Sequence, residues 1–113
     1  MQMRAKAYRR IVAGLVLTSG APFAGAASAS DLEYGKHLSA ECTTCHKIDG
    51  SGGQQIPQIT GWKAEEFIAI MKFYQTGARN NPAMVSVAQS LDEDQLMALA
   101  LYFGSLPKGK KSE

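Results

Sequence analysis

The chain has 113 residues, with twelve basic and ten acidic side chains and a formal net charge of +2 at pH 7. A chain of this length allows one small domain. Four of the bases lie among the first ten residues: Arg4, Lys6, Arg9 and Arg10. Because no acid accompanies them, residues 30–113 carry eight bases and ten acids, a net charge of −2, which gives no support to nucleic-acid binding.

Residues 1–29 have the order of features that is typical of a secretory signal peptide. The basic residues are followed by an apolar run at 11–17 and then by small residues that end with an Ala-Ser-Ala sequence. This order predicts export to the periplasm, with cleavage after Ala29 or, as the alternative, after Ala26. An uncleaved membrane anchor is the competing interpretation. The apolar run is short for a membrane span, and glycine and proline residues interrupt the segment.

Residues 31–46 are predicted to form the first helix of the mature domain, with Ser30 or Asp31 as its N-terminal cap. Small and apolar residues recur there at spacings of three and four: Leu32, Gly35, Leu38 and Cys42. A glycine inside a helix costs about 1 kcal/mol relative to alanine. We therefore expect another helix to pass so close to Gly35 that a side chain would not fit.

The segment Cys42-Thr43-Thr44-Cys45-His46 contains both cysteines of the chain, and its spacing is that of a c-type haem attachment site. Two thiols on one helical turn can reach the two vinyl groups along one edge of a porphyrin. The histidine that follows can bind the iron from one face of the ring. We predict that Cys42 and Cys45 attach one haem c and that His46 is an axial ligand of its iron.

Three other interpretations of the same residues are weaker. A zinc site needs four ligands, and the one remaining histidine, His37, lies too close to the motif to complete such a site. We expect His37 to be an exposed helix residue. A thioredoxin-like redox pair would lie in a βαβ unit, and no strand pattern surrounds the motif. A disulfide between cysteines separated by only two residues would be strained.

The sequence after the motif is irregular and then helical. Glycines and a proline prevent a helix or strand at 47–61, so we predict a loop there that wraps the haem edge. Residues 63–76 are predicted to form a second helix, which Gly77 ends. The apolar stripe of this helix contains Phe67, Ile70, Met71 and Tyr74.

Two further helices are predicted from their capping residues. Asn81 as N-cap, followed by a proline, begins a short one. Asp92 caps the last helix, with Gln95 completing a capping box, and we expect Gly104 to end it. The final residues, 107–113, form a basic tail that we expect to be flexible.

Met84 is the predicted second axial ligand of the iron. It lies at a loop-to-helix junction rich in asparagine and proline, and such a segment can present a thioether sulfur to a flat ring. A methionine more often fills space in a core. That alternative suits Met71 and Met97, which lie within helical stripes, whereas Met1 and Met3 belong to the signal peptide.

With these motifs the chain resembles the class I c-type cytochromes over nearly all of residues 31–105. Besides the first helix and the attachment motif, the matching segments are Pro57-Gln58-Ile59-Thr60-Gly61, Asn81-Pro82-Ala83-Met84 and Leu99-Ala100-Leu101-Tyr102-Phe103. The resemblance implies an all-α class I cytochrome c fold, with three or four helices around one covalent haem. It also implies that the carbonyl of Pro57 accepts a hydrogen bond from the ligand histidine.

A narrower resemblance concerns the segment from Phe67 to Arg79, together with Met84 and residues 98–103. These residues resemble one haem domain of bacterial cytochromes c4 and, equally, the haem subunit of flavocytochrome c sulfide dehydrogenases. Both kinds of relative commonly carry two haem domains, whereas this chain has one attachment motif.

The predicted function is that of a non-enzymatic, single-electron carrier of the periplasm, with residues 30–106 as its haem domain. We expect protein redox partners, no nucleic acid and no membrane span in the mature chain. One alternative is the cytochrome subunit of a flavocytochrome c sulfide dehydrogenase, which would accept electrons from a flavoprotein. A second is a five-coordinate, gas-binding haem protein, in which Met84 is not a ligand.

Overall fold

The computed structural model describes residues 27–53 and 55–109, together with Gly14 and Gly20. These residues form four helices, in chain order: α1 (Ala29–Thr43), α2 (Ala64–Thr76), α3 (Pro82–Gln89) and α4 (Glu93–Ser105). No strand occurs within the described ranges, in agreement with the predicted all-α class. None of these helices is long and apolar enough to span a bilayer. Most of the predicted signal peptide lies outside the described residues.

The helix α1 begins earlier than the sequence analysis predicts. Its N-cap is Ser28, so the prediction of Ser30 or Asp31 as the cap is wrong. The hydroxyl of Ser28 accepts the N–H of Asp31 at 3.2 Å, and the carboxylate of Asp31 accepts the N–H of Ser28 at 3.2 Å. This reciprocal pair is a capping box. Cleavage after Ala29 would remove Ser28, whereas cleavage after Ala26 would retain it.

The helices α1 and α4 touch each other at Gly35, as the sequence predicts. Gly35 is buried, and a Cβ added to it would lie 2.6 Å from the Cβ of Tyr102 and against the carbonyl of Ala98. Real Cβ atoms essentially never approach other atoms this closely. The absence of a side chain at Gly35 therefore sets the distance between the two helices. His37, two residues further along α1, is exposed as expected.

The core lies between α2 and α4, with one residue from α3. Its buried members are Phe67, Met71, Ala88, Leu96, Leu99, Ala100 and Phe103. The rings of Phe67 and Phe103 stack with their centroids 5.8 Å apart. Met97 lies beside the buried stripe of α4 and is 46% exposed, so the prediction that it fills the core is wrong. Gly104 lies inside the last turn of α4, which ends one residue later than predicted.

Three helix ends lie at the predicted residues: the start of α3, the start of α4 and the end of α2. Asn81 caps α3, because its side-chain oxygen accepts the N–H of Met84 at 3.1 Å. Asp92 and Gln95 form the predicted capping box of α4, through hydrogen bonds of 2.8 and 3.0 Å. Gly77 ends α2 with a φ of 80°, a left-handed conformation that glycine adopts without steric cost.

The chain after α4 lies against the loop between α1 and α2. A Cβ added to Gly61 would lie 2.7 Å from the backbone nitrogen of Lys108. Gly109 lies against the side chain of Gln58. The part of the predicted tail that the structure describes, residues 107–109, therefore reaches the loop, while residues 110–113 lie outside the described ranges.

Candidate functional site

A cavity of about 410 Å³ lies between the end of α1, the loop at 55–62, α2 and α3. All five residues that the sequence analysis assigns to a site border it: Cys42, Cys45, His46, Pro57 and Met84. Apolar side chains form much of its wall, among them Ile59, Phe67, Ile70 and Val87. The volume lies within the range of about 300–1,000 Å³ that is typical of ligand and cofactor pockets.

The two cysteines sit at the point where α1 ends and the loop begins. The carbonyl of Cys42 accepts the N–H of Cys45 at 3.2 Å and that of His46 at 2.8 Å, so a tight turn follows the helix. Cys42 is half-buried and Cys45 is exposed. Burial and, secondarily, the carboxylate of Glu41 raise the pKa of the Cys42 thiol. The motif thus presents one thiol towards the interior and the other at the open edge of the cavity.

The loop that contains Pro57 orients the side chain of His46. Its Nδ1 lies 2.7 Å from the carbonyl oxygen of Pro57. A carbonyl can only accept, so Nδ1 must carry the proton and donate it. The second ring nitrogen, Nε2, then keeps its lone pair for a metal. The contact that the family resemblance implied is therefore present, and it fixes both the tautomer and the direction of the imidazole.

Two further hydrogen bonds hold the loop that carries Pro57. The side-chain amide of Gln58 donates to the carbonyl of Ile48 at 2.7 Å, which ties the two arms of the loop together. The N–H of Gly61 donates to the carbonyl of Phe103 at 2.8 Å, which ties the loop to α4. The predicted loop at 47–61 is irregular at every residue that the structure describes.

Two methionines border the cavity, and only one of them was assigned a ligand role from the sequence. Met84 is half-buried near the start of α3, where Asn81 fixes its backbone N–H. Met71 is 5% exposed and belongs to the buried core, in agreement with its predicted packing role. The thioethers of Met71 and Met84 therefore border the same cavity, and a test of one requires the other as a control.

Arg79 and Trp62 border the cavity although the sequence analysis gave neither of them a role. The guanidinium carbon of Arg79 lies 5.2 Å from the ring centroid of Tyr74, a cation–π arrangement. Among the described residues around the cavity, Arg79 is the one with a permanent positive charge. Its position in the turn between Gly77 and Asn81 was the available signal, since that turn leads directly into the helix of Met84.

The residues around the cavity match the chemistry of a covalently bound haem. Two thiols lie at one edge, an imidazole has an available nitrogen, and thioether sulfurs border the same space. The apolar wall suits the faces of a porphyrin, and the cation of Arg79 suits the carboxylates that a haem carries.

Comparison with known proteins gives one family and two relatives. The sequence model of the family described as Cytochrome c matches residues 32–107. Over 74 residues the chain is 35% identical to a thiosulfate dehydrogenase electron acceptor from Thiomonas intermedia, a match that covers 63% of this chain and 34% of that protein. Over 74 residues it is 31% identical to the cytochrome subunit of sulfide dehydrogenase from Chlorobaculum tepidum, covering 66% of this chain and 67% of that protein. The chain thus spans about a third of the first relative.

Proposed function

The chain belongs to the cytochrome c family, and we propose that it is a periplasmic single-electron carrier whose haem iron is ligated by His46 and Met84. Membership implies a covalently bound haem c and a role in electron transfer rather than in catalysis. The four helices have the class I cytochrome c fold. The observation that carries the proposal is that both thiols, the oriented imidazole and Met84 border one cavity.

Each residue has a separate role in the proposal. Cys42 and Cys45 anchor the haem through thioether bonds, and the bound haem supplies an iron that alternates between Fe(III) and Fe(II). His46 would hold this iron through Nε2, while the carbonyl of Pro57 accepts a hydrogen bond from Nδ1–H and increases the basicity of the ring. Arg79 is the cation available to the haem carboxylates.

The sulfur of Met84 decides what kind of haem protein this is. A thioether ligand favours Fe(II) and raises the reduction potential. With His46 and Met84 both bound, no coordination position is left for a gas or a substrate. A protein partner that exchanges electrons with the bound haem would dock near the exposed Cys45, through an interface of the small, weak class.

The domain boundaries belong to the same proposal. Residues 1–29 act as the signal peptide, 30–106 form the haem domain and 107–113 are the tail. Export supplies the compartment in which the reduced thiols of the motif would meet haem. The mature N-terminus, measured by mass spectrometry of the periplasmic protein, tests this assignment. Membrane-bound protein that still carries Met1 would show an anchor instead.

Absorption spectroscopy of the purified holoprotein tests the ligand assignment. A thioether on Fe(III) gives a weak near-red band, which the wild type should show. Met84→Ala should remove the band, and Met71→Leu should retain it. If wild-type protein lacks the band and its ferrous form binds carbon monoxide at once, the iron is five-coordinate and the protein binds gases.

A second candidate function is that of a permanent enzyme subunit. One relative is named as the cytochrome subunit of sulfide dehydrogenase, and the other as an electron acceptor of thiosulfate dehydrogenase. The corresponding proposal is that this chain accepts electrons from a flavoprotein in a stable complex. Purification from its own host separates the two candidates, because a subunit would co-purify with a flavin-containing chain and a free carrier would elute as a small monomer.

A further inference from the structure

A glutamine on α2 forms side-chain hydrogen bonds at the C-terminal end of α3, the helix that carries Met84. Gln75 is half-buried one residue before the end of α2, and its side-chain amide donates two hydrogen bonds. One goes to the carbonyl of Ala88 at 2.9 Å and the other to that of Leu91 at 3.1 Å. Both carbonyls lie where α3 ends and the turn to α4 begins. The carbonyl of Ala88 also accepts the backbone N–H of Leu91 at 3.2 Å, so the amide adds to the bonds that the turn itself makes, and its two bonds join the end of α3 to α2.

The contact is reciprocal. The side-chain amide of Gln89, the last residue of α3, donates to the carbonyl of Gln75 at 3.4 Å. The carbonyl of Gln75 is itself among the last four of α2. Each helix therefore receives a side-chain hydrogen bond from the other at its C-terminal end, and α3 is fixed relative to α2.

The helix α3 depends on such contacts because it is short. It has eight residues, too few to be stable as an isolated helix. At its start Asn81 accepts the N–H of Met84, and at its end Gln75 bonds two carbonyls. No covalent bond is proposed between α3 and the haem. Cys42 and Cys45, in contrast, are each proposed to form a thioether bond with it.

We propose that Gln75 is a positioning residue that keeps the sulfur of Met84 on the haem iron. This inference rests on the proposed function, in which Met84 is the second ligand. Without the amide, the end of α3 is released from α2 and the state with Met84 off the iron becomes more populated. An external ligand of Fe(III), such as cyanide, binds by capturing that state, so its association rate reports the population directly.

The test uses Gln75→Met, which retains the length of the side chain and removes both N–H donors. In ferric holoprotein we expect cyanide to associate about tenfold faster than in the wild type, a factor that corresponds to about 1.4 kcal/mol. Gln89→Met removes the single, longer bond and should accelerate association less. The matched control is Leu99→Val, a core change in α4, which should lower the unfolding temperature without accelerating cyanide.

The outcomes separate the two proposals. A rate for Gln75→Met within twofold of the wild type, in protein that shows the thioether band, overturns the role of Gln75 and leaves the proposed function standing. An equal acceleration of cyanide association in Leu99→Val also overturns it, because a general loss of stability would then explain the effect. If the wild type lacks the band, the proposed function fails first and the role of Gln75 fails with it.

Discussion

The side of the cavity that carries His46 and the side that carries Met84 are held by different kinds of bond. The histidine side, residues 42–58, combines two proposed thioether bonds with the hydrogen bond from His46 to Pro57 at 2.7 Å. The methionine side, Gln75 with residues 81–91, is held by hydrogen bonds at the two ends of α3. We therefore expect that attachment of the haem and the proposed ligation by Met84 can be lost separately.

The difference also separates the functions of the two sides. The histidine side determines whether the protein keeps its haem at all, since its bonds are covalent or follow directly from the covalent motif. In the proposed function, the methionine side sets the reduction potential and the access of external ligands to the iron. Substitutions on each side should change one set of properties and spare the other.

Changes in the attachment motif should have the largest effect. We expect Cys42→Ala or Cys45→Ala to leave one thioether bond or none, and His46→Ala to abolish stable holoprotein. The measurement is the haem mass retained on the polypeptide after acid and organic solvent. In the wild type one haem per chain should remain. Complete extraction of haem from intact wild-type protein would refute covalent attachment.

Removal of the methionine ligand should change the potential while attachment stays intact. Met84→Ala should lower the reduction potential by about 100 mV or more, since axial ligands tune haem over a range near 0.8 V. The variant should also bind carbon monoxide when reduced. Its haem should remain covalently attached, and Met71→Leu is the control that should keep the wild-type potential. A large drop in Met71→Leu with an unchanged Met84→Ala would reverse the assignment.

A change at the contact between α1 and α4 should lower the stability of the fold and leave the proposed ligation of the iron intact. In Gly35→Val the new side chain would meet the carbonyl of Ala98 and the Cβ of Tyr102. We expect the free energy of unfolding to fall by about 2 kcal/mol, a typical cost of overpacking. The thioether band should persist in the folded protein. The control is Ala69→Val on the exposed face of α2, which should cost a fraction of this in a denaturant titration.

The smallest change compares the helix cap next to Met84 with a cap on another helix. Asn81→Ala removes the cap of α3, and Asp92→Ala removes that of α4; each should cost about 1 kcal/mol. Only Asn81→Ala should weaken the thioether band when the ferric protein is titrated to alkaline pH, because only that cap adjoins Met84. Equal pH profiles in the two variants would show that the ligand does not depend on the start of α3.

The sequence was most informative where a local pattern is sufficient for a structural feature. The spacing of Cys42, Cys45 and His46, the cap at Asn81 and the stop at Gly77 each depend on a few adjacent residues, and the cap and the stop are present as predicted. Gly35 was a stronger case, because an unfavourable residue in a helix indicated a partner that is distant in the chain. That partner is α4.

The features that the sequence did not predict are contacts between segments far apart in the chain. The bonds of Gln75 to Ala88 and Leu91 span a turn whose path no local pattern sets. The exposure of Met97 depends on the rotation of α4 against its neighbours, which places Leu96 inside and the next residue outside. The cap at Ser28 was missed because the predicted cleavage after Ala29 assigned that residue to the signal peptide.

The most direct test of the central claim is a nuclear magnetic resonance spectrum of ferrous protein with methyl-labelled methionine. A methyl group on a sulfur bound to the iron lies over the porphyrin face, so its ring current shifts that resonance far upfield. We predict one such signal in the wild type, its persistence in Met71→Leu and its loss in Met84→Leu. A shifted methionine signal that persists in Met84→Leu would contradict ligation by Met84.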